Sequence, residues 1–431
     1  MQSLRSFGRR IVSSYKVIAI LTLNTLILLA GFELAGRTAL KIRSSFSMPA
    51  KERGVGEELL GEGGPREKVS YYASQDWSER YWHEFRLARR HRYYPYVGWR
   101  RAPVEGKTIS IDQNGIRLTP GANCGAESFK VFAFGGSTMW GTGAPNWGTI
   151  PAYLQAGLNA RIDRPVCVVN FGETAYVSTQ GVITLMLQLK SENVPDLVIF
   201  YEGNADVAVA YGTGLSGIHA NLDQIAAKLE GRSASQDHFP IVEWLMSSYS
   251  FSLVQNFIAK ITSPVHTAVA SAEQKRDYET MGIDVATLRD SVVQSYLGNY
   301  EIVSALAKKY GFNYFFFWQP VLVLGDKPLT AEEQEMKHRI EPARIKLFEL
   351  VNRAIEAKAS KDSRLHSMAH IFDGINSLLY IDAGHVTPVG NQLIAEKMID
   401  IMASRDSFKP ARASHTVGQS IIPVIEGNKR K

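Results

Sequence analysis

The sequence predicts an α/β protein, a parallel sheet with helices on both faces, preceded by one N-terminal transmembrane helix. Three observations predict it. Short apolar runs alternate with helical stretches between residues 130 and 403. Such alternation implies right-handed crossovers and a parallel sheet. The first runs end in glycine-bearing turns, where sheets of this kind place their ligands. A basic, acid-free leader stands before an apolar run near the N-terminus.

The chain has 431 residues, 45% hydrophobic and 21% charged, which is ordinary globular composition. Its formal charge of +6 is mild and spread out. The densest basic stretch, Arg86, Arg89, Arg90, Arg92, Arg100 and Arg101, is interleaved with aromatics but belongs to no recognisable nucleic-acid module. Nucleic acid is therefore not an expected partner. Two cysteines, Cys124 and Cys167, exclude a disulfide-rich scaffold and lack metal-ligand spacing.

Residues 1–16 form the basic leader, with Arg5, Arg9, Arg10 and Lys16. The apolar run that follows makes residues 17–36 an expected membrane anchor, short for a span of about 20 residues but workable with snorkelling flanks. A cleaved signal peptide is the competing reading, but Glu33 or Leu34 at the −3 position makes a poor cleavage site. The acid-free leader favours an inside N-terminus and an extracytoplasmic, periplasmic domain. Residues 37–70, rich in Gly, Glu and Lys, read as a flexible spacer. Residues 71–120 read as an amphipathic segment that packs its aromatics on the main domain and leaves its arginines in water.

The main domain is expected over 121–403. Strands are expected at 130–136, 166–172, 195–204, 313–320 and 370–375, and helices at 147–160, 178–191, 291–310 and 388–403. Residues 211–290 form an insertion too long for a plain crossover. The tail, 404–431, is polar and basic and expected to be disordered.

The chemistry sits at strand ends. The first strand ends in Gly135-Gly136-Ser137-Thr138, where a serine can project as a nucleophile from a tight turn. In "DAGHVTP", Asp382 stands three residues before His385 on one loop, and Thr387-Pro388 then opens a helix. A serine needs a base, and the base needs a carboxylate to hold its tautomer. Gly172 follows the second strand and Asn204 the third, each placed to aim a donor at an oxyanion.

Taken in this order, the blocks "GGST", "VVNFGETAYVSTQ", "PDLVIFYEGN" and "DAGHVTPVGN" resemble the SGNH/GDSL hydrolase superfamily over roughly residues 108–403. The serine block reads G-G-S-T, not G-D-S, a variant associated with membrane-anchored members. The resemblance implies a flavodoxin-like three-layer α/β/α sandwich and hydrolysis or transfer of acyl esters. It casts Ser137, His385 and Asp382 as the triad, and the donors of Ser137, Gly172 and Asn204 as the oxyanion hole. No cofactor or metal is needed. The substrate it implies is a small acyl, acetyl-like ester on a cell-surface glycan or a lipid-like ester. An O-acyltransferase would use the same triad. A non-catalytic glycan-binding protein would keep only the fold. One departure matters: aligned without a gap, Ala205 falls on the family asparagine and Asn204 lies one place early. The family's sheet also brings Cys124 and Cys167 to one amino-terminal edge, where either a disulfide or two free thiols can stand.

Overall fold

The computed structural model describes residues 66–222 and 277–404, with a few positions elsewhere (16, 20–25, 27, 28, 31, 225 and 226). The chain divides into two units, Met1–Glu52 with Asp223–Lys275 and Arg53–Leu222 with Arg276–Lys431. The second carries the site. Of the expected anchor, residues 20–25 are helical and much of the rest lies outside the described residues. Among the described residues no helix is long and apolar enough to cross a membrane. Most of the 37–70 spacer, the middle of the insertion and the tail after 404 also lie outside them.

The second unit opens with a 3-10 turn, Arg66–Lys68, and the helices α1 (Ser70–Ala73) and α2 (Ser78–Leu87). Two antiparallel ribbons follow, β1 (His91–Tyr94) with β2 (Gly98–Arg101), and β3 (Val104–Glu105) with β4 (Ser110–Ile111). Then come β5 (Phe129–Gly135), α3 (Ser137–Trp140), α4 (Ile150–Asn159), β6 (Val166–Asn170), α5 (Ser178–Lys190), β7 (Leu197–Glu202) and α6 (Asn204–Thr213). After the insertion run α7 (Val285–Tyr310), β8 (Asn313–Trp318), α8 (Ala331–His338), α9 (Pro342–Ala359), β9 (Leu365–Ser367) and α10 (Pro388–Ala403).

The five-stranded sheet has the order β6-β5-β7-β8-β9, all pairs parallel. In order of appearance that is 2-1-3-4-5, the flavodoxin-like doubly wound order. Helices α4 and α10 pack together as one group, and α5, α7 and α9 as another. Right-handed crossovers put these groups on opposite faces. The strands can be apolar throughout because both faces are covered, and every side chain of β7 is buried. Phe134, Phe200 and Phe316 lie in register on three neighbouring strands and stack with centroids 4.9 and 4.5 Å apart. Each fully buried ring contributes on the order of 2–3 kcal/mol.

Helix ends follow their sequence signals. Asp284 accepts from Thr287 N at 2.9 Å to start α7, and Gly311 at φ 79° ends it. Thr387 caps α10, with Pro388 in the first turn.

Three expectations are corrected. The fifth strand is Leu365–Ser367, and residues 370–375 form turns, with Gly374 at φ 75°. A three-residue edge strand with one buried side chain carries no period to read. The helices α6, α8 and α9 were not foreseen. In the aromatic segment, Tyr81, Trp82 and Phe85 do join the main core, but Arg100 and Arg101 are buried with them. Arg101 is buried because Glu173 meets it at 3.2 Å and Ala88 O at 2.6 Å. Residues 66–70 also belong to structured chain, not to a spacer.

Candidate active site

Ser137 opens α3 at the carboxyl end of β5, with Gly136 as N-cap. The turn needs its glycines: a Cβ on Gly135 would collide with the Met139 side chain and Tyr201 O. As the first helical residue, Ser137 presents a backbone N–H with no intrahelical acceptor. Its side chain is almost wholly buried.

The loop before α10 is closed by its own backbone. Ile381 N donates to His385 O at 2.9 Å and Thr387 N to Leu379 O at 2.7 Å. Glu333 of α8 accepts the N–H groups of Leu379 and Tyr380 at 3.0 and 3.1 Å, and Lys327 neutralises it at 2.7 Å. Within the loop, Asp382 Oδ1 accepts from the N–H of Gly384 and His385 at 2.8 and 2.7 Å. Its Oδ2 lies 2.8 Å from His385 Nδ1, and His385 Nε2 lies 2.6 Å from Ser137 Oγ. The structure thus brings together Ser137, His385 and Asp382, with a relative exposure of 6% for the serine and 1% for the other two.

A fourth residue joins them. Arg66 donates through Nε to Asp382 Oδ2. Burial alone would raise the Asp382 carboxyl, but His385, Arg66 and the loop N–H groups outweigh it and hold it well below the usual carboxylate range. Asp382 is therefore ionised where His385 must be oriented.

The oxyanion candidates are placed unequally. Asn204 opens α6, and its amide packs against Gly384, between Asp382 and His385; a Cβ on Gly384 would collide with it. Its Oδ1 is buried without a partner. Ala205 is buried in a small cluster with Trp99, Tyr176 and Val209, and a Cβ on Gly136 would meet its Cβ at 3.8 Å. Gly172 is close: a Cβ there would strike the Trp140 nitrogen. Its N–H, expected to be free for an oxyanion, donates instead to Asn170 Oδ1 at 3.0 Å. The short side chain of Asn170, two residues earlier, curls back and takes it.

Behind Ser137 lie groups that the sequence did not single out for the site. Trp140 sits between two guanidinium groups, Arg101 at 4.1 Å and Arg117 at 4.4 Å from its ring centre. Arg117 also donates to Trp140 O at 3.1 Å and Gly141 O at 2.8 Å, fixing the end of α3. Glu202, the last residue of β7, is buried beside Gly136 with no well-formed hydrogen bond on either oxygen. Burial, then the nearby Asp206, push its carboxyl well above the ordinary value; the Gly136 N–H pulls the other way and loses. Asp206 accepts from Ser178 Oγ at 2.6 Å, yet burial raises its carboxyl too.

Cys124 and Cys167 form a disulfide, with Cα atoms 4.8 Å apart. Cys167 lies in β6 one residue from its start, at the edge opposite the triad.

No family model matches the chain, and no curated protein matches it. Among solved structures it is similar to a lipase/acylhydrolase from Enterococcus faecalis, at 14% identity over 66% of this chain and 99% of the other, with a TM-score of 0.33. It is also similar to a member of the lipolytic G-D-S-L family from Veillonella parvula, at 11% identity over 64% and 98%, with a TM-score of 0.32. A third is an acetylxylan esterase from Geobacillus stearothermophilus, at 13% identity over 66% and 96%, again with a TM-score of 0.32. At such identities and scores, the functional reading rests on the site itself.

Proposed function

We propose that this chain is a serine esterase of the SGNH/GDSL type. The observation that carries the proposal is the continuous chain Ser137 Oγ, His385 Nε2, His385 Nδ1, Asp382, with links of 2.6 and 2.8 Å, the first between residues 248 positions apart. Ser137 attacks the ester carbonyl and His385 takes its proton, while ionised Asp382 stabilises the imidazolium. The Ser137 N–H and the Asn204 amide stabilise the oxyanion; the Gly172 N–H joins them once it leaves Asn170. His385 returns the proton to the departing alkoxide. Water, activated by His385, then attacks the acyl-Ser137 carbonyl and releases the acid. An acceptor hydroxyl in place of that water would make the reaction an O-acyl transfer.

The substrate we propose is a small acyl ester on a cell-surface glycan, reached from a membrane tether at 17–36, with the triad on the extracytoplasmic side. The Cys124–Cys167 bond supports that side, because such bonds persist in oxidising compartments. A fluorophosphonate probe tests the chemistry: the full-length protein should label, and Ser137→Ala should not. Equal labelling of both would remove Ser137 from the mechanism.

A further inference from the structure

Beside β6, at the edge of the sheet, lies a cavity of 640 Å³ whose lining includes Tyr94, Arg100, Asp112, Thr119 and Asn170. None of the triad residues lines it. Its volume is that of an ordinary small-molecule site.

Arg100 is the unusual wall. It is 3% exposed, and its guanidinium lies 5.4 Å from the Tyr94 ring centre and 5.6 Å from that of Phe171. Its Nη1 is buried without an acceptor, and among the described residues no carboxylate pairs with it. A guanidinium keeps its charge, so burial without an oxyanion is costly. Two other buried arginines show the contrast. Arg101 is equally buried and has Glu173, and Arg117 is equally buried and has the carbonyls of Trp140, Gly141 and Ala144. A second polar atom in the same lining, Thr119 Oγ1, is also buried without a partner. Asp112, whose Oδ1 is held by the N–H groups of Asn114 and Ile116, adds an acceptor for hydroxyls.

We propose that this cavity binds an acidic saccharide unit, a sugar whose carboxylate pairs with Arg100 and whose hydroxyls meet Thr119 and Asp112. Two guanidiniums, Arg100 and Arg117, the hydroxyls of Tyr94, Ser110 and Thr119, and one carboxylate, Asp112, around a cavity of this size fit a ligand that carries both an oxyanion and hydroxyl donors. Two polar groups of the lining, Asn170 and Arg117, also hold Trp140 O at 3.3 and 3.1 Å, three residues after Ser137. The cavity therefore flanks the nucleophile turn. If the chain is an esterase, this is a subsite for the polymer; binding itself does not depend on that reading.

Calorimetric titration of the full-length protein with a galacturonic acid trimer, a neutral galactose trimer and inorganic phosphate tests the proposal. The acidic trimer should bind about tenfold or more tighter than either of the others. Arg100→Gln should abolish that preference and leave aryl-ester turnover unchanged. Its melting temperature should stay level or rise, since it removes a buried charge with no partner. Thr119→Val should weaken the acidic trimer a few-fold. Absence of binding to the acidic trimer, equal binding of the neutral trimer, or unchanged binding in Arg100→Gln would overturn the proposal. Phosphate binding as tightly as the trimer would overturn the saccharide assignment, and a clear fall in the Arg100→Gln melting temperature would make Arg100 structural.

Discussion

Three groups converge on the Asp382 carboxylate: the backbone of its own loop, the imidazole of His385 and the guanidinium of Arg66. Ser137, His385 and Asp382 are legible in the sequence because each sits in a short motif at a strand end or a helix start. Arg66 is not, because it lies 316 residues from its partner in a stretch whose composition reads as linker. Arg66→Gln should lower stability at pH 7 by about 1–3 kcal/mol, the scale of one charge-assisted hydrogen bond. The sign with pH follows from the depressed Asp382 carboxyl. Its contribution is complete above the unfolded value of about 3.9 and is lost as pH falls through the folded one. The gap between wild type and Arg66→Gln should therefore close in strong acid, as urea titrations at several pH values would show. A gap that is constant with pH would deny the coupling. The same scale settles which donor to alter. Asn204→Ala should cut kcat about a hundredfold with KM little changed. Ala205→Asn should gain nothing and destabilise by roughly 1–3 kcal/mol, because position 205 is buried in the cluster with Trp99 and Tyr176 and leaves an amide there no room or partner. A faster Ala205→Asn enzyme would reverse this assignment.

At the scale of elements, β7 and α6 meet at Gly203, whose φ of 130° only glycine adopts readily. The strand delivers Glu202 under the nucleophile turn and the helix begins with Asn204. Strand β7 is legible as an apolar run, but the raised carboxyl of Glu202 at its end is not, since only the folded burial shows it. Its raised carboxyl value has a defined consequence. The folded state holds a proton that the unfolded chain releases near pH 4.3, so stability falls as pH rises from there to the folded value. Glu202→Gln keeps the shape and removes the titration. It should be more stable than wild type at pH 8 and nearly equal at pH 4, measured by chemical denaturation. An unchanged pH slope would mean that Glu202 does not carry it. The strand that escaped reading, Leu365–Ser367, is the opposite case: short, at the edge, and defined by its pairing with β8 rather than by any pattern of its own.

At the scale of the whole molecule, the parallel sheet was legible from alternation and its flavodoxin-like layering from the resemblance, while the surroundings of Ser137 and His385 were not. Those surroundings come from the segment before the first strand of the sheet: Arg66 meets Asp382, and Arg101 and Arg117 lie over Trp140. The Cys124–Cys167 bond closes the chain between that segment and β6, with a separation of 43 residues. In the chain-entropy model such a loop contributes about 4 kcal/mol. Reduction should lower the melting temperature by several degrees and leave turnover at permissive temperature unchanged, because the bond lies at the edge away from the triad. Mass spectrometry of non-reduced peptides from freshly isolated protein should find the 124–167 link; two free thiols would remove both this contribution and its support for export.

The distance in sequence between nucleophile and base has a consequence in time. Ser137 emerges from the ribosome 248 residues before His385. At roughly 10 residues per second, that interval is on the order of 25 seconds. All five sheet strands, and the turn that presents Ser137, are made before His385 exists. On the proposed mechanism the unfinished chain is inactive without any propeptide, and a product truncated before residue 385 would carry Ser137 but not His385.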